Sequence, residues 1–346
     1  MTGHDRLNGQ LNQHVITSAA LRGNPLGDPH ERALWVYTPP GYSEGDRRYP
    51  VAYVIQGYCG TIAMWSNRTP FRPTFPELLD NLFSRPGMPQ ALIVFVDAWT
   101  SYGGSQYLDS AAIGNYHTYL CDDIVSWVDD AYRTLAHRDH RAVTGKSSGG
   151  YGSMVTAMLR PDLFSGFATH AGDALFDTSY ASMLPQLARR LRDDFGGSYE
   201  AFLDYFRAAR TPLLHPLDEM LIEIYGYSAA YSSDADGSVH VPFDPSTGRL
   251  IPEVWERWLA WDPVRLAAQN GEALRSMRAI WIDAGRRDEY YLDLGASAFH
   301  QAVVGVGVDP EQVHFELFDG AHGAIEYRYP QAIEWLIRRL AVEVRR

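Results

Sequence analysis

The feature that most narrows the fold is a series of short, nearly continuous apolar runs separated by helical patterns. PVAYVIQG (Pro50–Gly57), ALIVFVDA (Ala91–Ala98), RAVTG (Arg141–Gly145), FSGFATHAG (Phe164–Gly172), AIWIDAG (Ala279–Gly285) and VHFELFDG (Val313–Gly320) share this character. Runs of that length without alternation suit parallel strands covered on both faces. Two earlier runs, His14–Leu21 and Arg32–Pro40, alternate or carry β-branched and aromatic residues and flank the turn GNPLGDPHE, which predicts an antiparallel pair. Helical patterns fall between the strands. Tyr119–Leu135 places Ile124, Trp127, Val128, Ala131 and Leu135 on one face, and Tyr151–Leu159, Leu294–Val304 and Ala324–Val342 follow. The expected class is α/β, a mostly parallel central sheet with helices on both faces.

One interval breaks this rhythm. Residues 173–278 are too many for a crossover connection, and a structureless loop of that length is improbable. The interval holds three helical patterns, MLPQLARRLRDDF, AFLDYFRAAR and PEVWERWLAWD, and a turn-rich stretch, SSDADGSVHVPFDPSTG, that suits a small hairpin. We read residues 1–346 as a single domain and 174–262 as a helical cap inserted within it.

Composition excludes more than it assigns. Thirty Lys and Arg against 42 Asp and Glu give a formal charge of −12, which argues against nucleic acid or an anionic membrane surface as partner. Cys59 and Cys121 are too few for a disulfide framework or a four-ligand zinc site, and both read as buried small hydrophobes. HRDHR (His137–Arg141) precedes a strand in an exposed turn and reads as no metal site. The polar N-terminus MTGHDRLNGQLNQH lacks the apolar core of a signal peptide, and no run is long enough to span a bilayer. The expectation is therefore a cytoplasmic protein, a removed leader aside.

VTGKSSGGYG (Val143–Gly152) carries the chemistry. A phosphate-binding loop requires a glycine five residues before Lys146, and Arg141 stands there. Gly145-Lys146-Ser147-Ser148-Gly149 instead fits G-x-S-x-G between a strand and a helix, a turn that presents a reactive serine above a helix N-terminus. Taking Ser148 as nucleophile would lose the first glycine. A serine at such a turn needs a histidine base and a carboxylate to orient it, in the chain order Ser, acid, His. His170 and His314 lie in strand patterns, His215 and His240 in the insertion and His300 in a helical pattern. His322 remains, in the loop FDGAHGAIEY between the last strand and the last helix. The acid is sought in AIWIDAGRRDEYY: Asp283 lies inside the strand, where a carboxylate without a partner is costly, whereas Asp288 lies in the loop beyond it. Glu289 is the near alternative and Asp173 a remote one. Backbone N–H groups for an oxyanion hole are expected from Ser148 and from Tyr58 in Gly57-Tyr58-Cys59-Gly60, with Cys59 as the alternative.

With those residues in place, the chain resembles the esterase D-like family of α/β-hydrolases, which includes S-formylglutathione hydrolases, siderophore and feruloyl esterases, and mycolyltransferases. The likeness lies in WVYTPPGYSEGDRRYPVAYVIQGYCG, DDIVSWVDDAYRT, the extended elbow GKSSGGYGSM, the acid loop GRRDEYY and the closing GAHGAIEYRYPQAIEWL. It covers about residues 14–172 and 279–343. It implies Ser147 as nucleophile, Asp288 as acid, His322 as base, and Tyr58 and Ser148 as backbone oxyanion donors. Two departures stand out: Gln56-Gly57 replaces the family's His-Gly, and the insertion has no counterpart.

The implied reaction is hydrolysis of a small to medium ester or thioester through an acyl-enzyme, with no cofactor or metal. An acyltransferase on the same machinery and a non-catalytic binding protein of the same fold are the rival readings, and a homodimer is compatible with either. Substrate contacts are expected from Trp99 and Tyr102 in DAWTSYGGSQY and from Tyr225 and Tyr227 in the insertion, whose other aromatics read as its own core.

Overall fold

Residues 7–208 and 215–341 are described by the computed structural model. An eight-stranded sheet runs through the molecule, with strands β1 (Gln10–Thr17), β2 (Glu31–Thr38), β3 (Val51–Ile55), β4 (Leu92–Val96), β5 (Arg141–Lys146), β6 (Gly166–His170), β7 (Ala279–Gly285) and β8 (Val313–Phe318) in the order 1-2-4-3-5-6-7-8. The β1–β2 and β2–β4 pairs are antiparallel and every other pair is parallel. The central strands are wholly buried, which is why they read as unbroken apolar runs.

One strand prediction and one helix prediction shift. β1 begins four residues before the expected His14 and stops at Thr17, because Gln10, Asn12 and Gln13 sit on a half-exposed edge strand where polarity is tolerated. The helix expected over Tyr119–Leu135 begins at Tyr116, widens through a π-helical stretch at Tyr119–Ile124 and ends at Ala131. It ends there because Tyr132 turns extended and the chain then bonds to Tyr49, with Tyr49 N–H donating to Arg133 and Leu135 N–H to Tyr49.

Helices cover both faces. Phe75–Phe83 and the closing helix Arg328–Leu340 pack Leu79, Phe83, Tyr329, Ile333 and Leu336 against Val54, Ile93, Phe95 and Ala168. On the other face the helix Ser148–Leu159 and the helix Leu292–Gly305 bury Tyr151, Met154, Val155 and Phe299 against Tyr53, Val143 and Phe167.

Between β6 and β7 lie the helices Leu184–Phe195, Tyr199–Ala208, Pro216–Tyr231 and Pro252–Leu259. Pro216–Tyr231, the longest helix of the protein among the described residues, is the one of these four that the sequence patterns did not reveal. The turn-rich segment after it forms isolated antiparallel bridges, Ser233 with Val239 and Phe243 with Leu250, in place of a hairpin. Asp262 ties this segment shut: its carboxylate accepts Leu175 N–H at 3.1 Å and Phe176 N–H at 2.9 Å and also caps the helix Pro263–Gln269 through Val264 N–H. Among the described residues no helix is long and apolar enough to cross a membrane.

Candidate active site

β5 turns into the helix Ser148–Leu159 through Ser147 alone. Its backbone stands at φ 58° and ψ −128°, a strained conformation for a residue with a side chain. Glycines permit the turn: a Cβ on Gly145 would lie 2.4 Å from the Gly149 backbone, and one on Gly149 would lie 2.5 Å from the Ile55 carbonyl. Ser147 N–H donates to the His170 carbonyl at 3.0 Å, which fixes the turn to β6.

The other loops at this edge of the sheet are strained as well. Among the described residues the non-glycine positive-φ positions are Gln106, Tyr107, Ser147, Ala171, Leu175, Tyr291 and Ala324. Every one follows the C-terminal end of a parallel strand, β4 to β8, the edge at which open α/β sheets gather their ligands.

After β7, Asp288 lies 5 % exposed and its Oδ2 stands 2.8 Å from His322 Nδ1. Tyr290 N–H donates to its Oδ1 at 2.9 Å, and the Tyr290 ring meets the His322 ring edge-on at 5.0 Å. Glu289 does not reach the imidazole; it accepts the backbone N–H of His322 at 3.0 Å. The two loops lie so close that a Cβ on Gly285 would fall 2.6 Å from the Gly320 backbone. Asp173, the remote alternative, accepts hydrogen bonds from Tyr180, Ser148 and Gln106.

Ser147 and His322 line one cavity of about 480 Å³ together with Gly57, Tyr58, Cys59 and Gly60. Gly57 crosses directly over the elbow, its Cβ position 3.6 Å from Ser147 Cβ. Neither Tyr58 N–H nor Ser148 N–H donates to another group among the described residues. Gln56 holds the crossing loop by donating Nε2–H to the Gly60 carbonyl. The Tyr58 ring anchors it from the other side: its hydroxyl donates to the Tyr102 carbonyl at 2.6 Å, and its ring packs on Gly103, Gly104 and Gly226.

Of the four aromatics expected to touch substrate, Tyr227 lines the cavity. Trp99 does not, because its ring is held under the Arg32 guanidinium, 4.7 Å from the centroid. Tyr102 and Tyr225 also lie off the lining and pack edge-on against each other at 5.2 Å. Cys121 is buried, but Cys59 is exposed at the cavity, where its Sγ–H donates to Glu219 Oε1 at 2.9 Å. Desolvation by the surrounding wall and that hydrogen bond together push the Cys59 thiol up.

Asp283, passed over as a costly buried carboxylate, has its partners inside the sheet. It accepts from His170 Nδ1 at 2.7 Å, Trp281 Nε1 at 2.8 Å and Arg328 Nε at 2.9 Å. Burial acts to raise its pKa, and these three donors outweigh burial and hold it below the usual carboxylate range.

The patterns did not reveal Lys146, Glu219, Glu223, Tyr180 and Tyr290 as cavity residues. Glu219, Glu223 and Tyr227 form a four-residue repeat on one helix face, a signal hidden because the helix itself was not recognised. Burial raises Glu223 to about 7 and raises Asp173 as well. Burial lowers Lys146.

Fold and site together define an α/β-hydrolase in which Ser147 and His322 line one cavity and Asp288 stands beside the histidine. The family model described as "Putative esterase" matches residues 29–328, and the chain belongs to that family. Among curated proteins it is similar to an endo-1,4-beta-xylanase/feruloyl esterase of Xylanibacter ruminicola, 25% identical over 37% of this chain and 18% of that one. The chain spans less than a third of the length of the curated relatives it matches. Among solved structures it is similar to a ferulic acid esterase, with a TM-score of 0.62 and 18% identity over 97% of this chain and 100% of that one. An S-formylglutathione hydrolase from Agrobacterium tumefaciens gives a TM-score of 0.57 and 16% identity over 97% of each chain.

Proposed function

We propose that the protein hydrolyses small to medium carboxylic esters or thioesters through Ser147, His322 and Asp288. The observation that carries this reading is the 2.8 Å contact of His322 Nδ1 with Asp288, set on the cavity that the strained Ser147 lines. Asp288 holds the imidazole with Nε2 free to take the Ser147 proton. The serine oxygen attacks the carbonyl carbon, and the oxyanion that forms is met by the backbone N–H groups of Tyr58 and Ser148. Collapse expels the alcohol or thiol with the proton from His322 and leaves an acyl-serine. Water, deprotonated by the same histidine, then releases the acid.

A fluorophosphonate probe followed by peptide mapping tests this directly. Labelling is expected at Ser147, absent in Ser147→Ala and much slower in His322→Ala, with aryl acetate turnover falling about a thousandfold or more in each variant. An unlabelled Ser147 in a folded protein that also leaves aryl acetates intact would overturn the reading. Added acceptor alcohols show whether water or an alcohol resolves the acyl-serine.

A further inference from the structure

The cavity carries carboxyl groups that the ester chemistry does not use. Glu219, Glu223 and Tyr227 face it as one stripe of the helix Pro216–Tyr231. Tyr227 OH donates to Glu223 Oε1 at 2.6 Å, and Ser148 Oγ lies 3.2 Å from both Tyr227 OH and Asp173 Oδ2. Two hydroxyls therefore join Glu223 to Asp173. Asp173 is only 3 % exposed, and its hydrogen bonds from Tyr180, Gln106 and Ser148 all reach Oδ2. No hydrogen bond reaches its Oδ1 among the described residues, and Asp173 lines the cavity.

The basic groups on the lining are Lys146 and His322. Lys146 interacts with Glu326, Asp288 and Glu289, His322 acts on Asp173, and no basic side chain acts on Glu223. Aromatic rings stand beside these carboxyls: the Tyr227 ring lies 4.8 Å from both the Tyr58 and Tyr180 rings. Aromatic rings beside carboxylates favour a cation through the ring quadrupole and through charge. Above neutral pH, where Glu223 ionises, an anionic substrate would meet like charge there and a neutral one would gain nothing from it.

We propose that this wall selects esters whose acyl or alcohol part carries an ammonium or guanidinium group, seated by Glu223 and Asp173 beside Tyr180 and Tyr227. The proposal rests on the ester reading of the same cavity, so its test uses binding as well as turnover. Ser147→Ala is titrated calorimetrically, above neutral pH, with a choline ester and with the neutral isostere in which carbon replaces the nitrogen. The cation is expected to bind about tenfold or more tightly than its isostere. Glu223→Gln and Asp173→Asn, each in the same background, are expected to bring that ratio toward one. Equal or weaker binding of the cation, no measurable binding of either ester, or a preference that survives both substitutions overturns the proposal. Failure to turn over uncharged aryl acetates would instead remove the ester reading and leave the binding comparison standing.

Discussion

At Ser147 the backbone holds a shape that its neighbours must leave room for. Gly149→Ala would set a methyl group 2.5 Å from the Ile55 carbonyl and 2.8 Å from that of Gln56, and backbone atoms cannot step aside as a side chain would. We expect a loss of about 1–3 kcal/mol in urea denaturation. Gly305→Ala, at a helix end where a Cβ meets nothing within 4 Å, serves as the control and is expected to be neutral or slightly stabilising. The hydrogen bonds at His322 separate the two adjacent acids in the same way. Asp288→Asn is expected to lower kcat by about a thousandfold or more with a small change in KM, because the amide can present N–H to Nδ1 and favour the wrong tautomer. Glu289→Gln keeps an acceptor for the His322 backbone and is expected to change kcat far less. The meeting of Asp288 with His322, and of Ser147 and His322 on one cavity, was legible in the sequence because each residue stands just beyond a strand run. The cavity contacts were not: Trp99 is taken up by Arg32, and Tyr102 and Tyr225 by each other, pairings between distant segments that no local pattern encodes.

Among the elements, the helix Pro216–Tyr231 shows why a local pattern fails. Its apolar residues lie around most of its circumference, and Gly226 interrupts it where helix propensity favours Ala by about 1 kcal/mol. The strands were readable because burial on both faces leaves a composition signal that needs no periodicity. A helix buried on several sides leaves none. Gly226 is explained by what crosses it, since a Cβ there would lie 1.8 Å from the Tyr58 hydroxyl. Gly226→Ala is therefore expected to destabilise the protein by about 1–3 kcal/mol despite the better helix former. It should also lower kcat, because the displaced Tyr58 carries its own N–H out of line. Tyr58→Phe in the Gly226→Ala background removes the clashing oxygen and is expected to recover part of both losses, a coupling that a double-mutant cycle reads directly.

Across the whole molecule, the carboxyls of Asp283 and Glu223 have opposite pH behaviour. Asp283 is held below the usual carboxylate range, so its contribution to stability is complete above the unfolded value of about 4 and is lost as pH falls through its folded pKa. Glu223, raised to about 7, behaves in reverse: it ionises more readily in the unfolded chain, and stability declines as pH rises from about 4.5 through 7. Glu223→Gln is accordingly expected to raise Tm above neutral pH and to leave it little changed near pH 4. Asp283→Asn is expected to destabilise at neutral pH by about 3–5 kcal/mol, because the Arg328 guanidinium and His170 stay buried beside it. The mostly parallel sheet and the insertion's place between two strands followed from the spacing of the apolar runs. The charge balance across the interior did not, because it depends on which distant side chains meet.

Asp262 fastens the insertion at its neck, so the polypeptide leaves the sheet and returns to it at one point. Everything between Phe176 and Asp262 is thereby a cassette, supplying Tyr180, Glu219, Glu223 and Tyr227 to the cavity but no strand to the sheet. The reacting groups and the wall opposite them occupy separate stretches of the gene. One recombination event across that neck would exchange those four side chains as a block and leave Asp173 in place, and a lineage built this way can acquire new preferences without reinventing its chemistry.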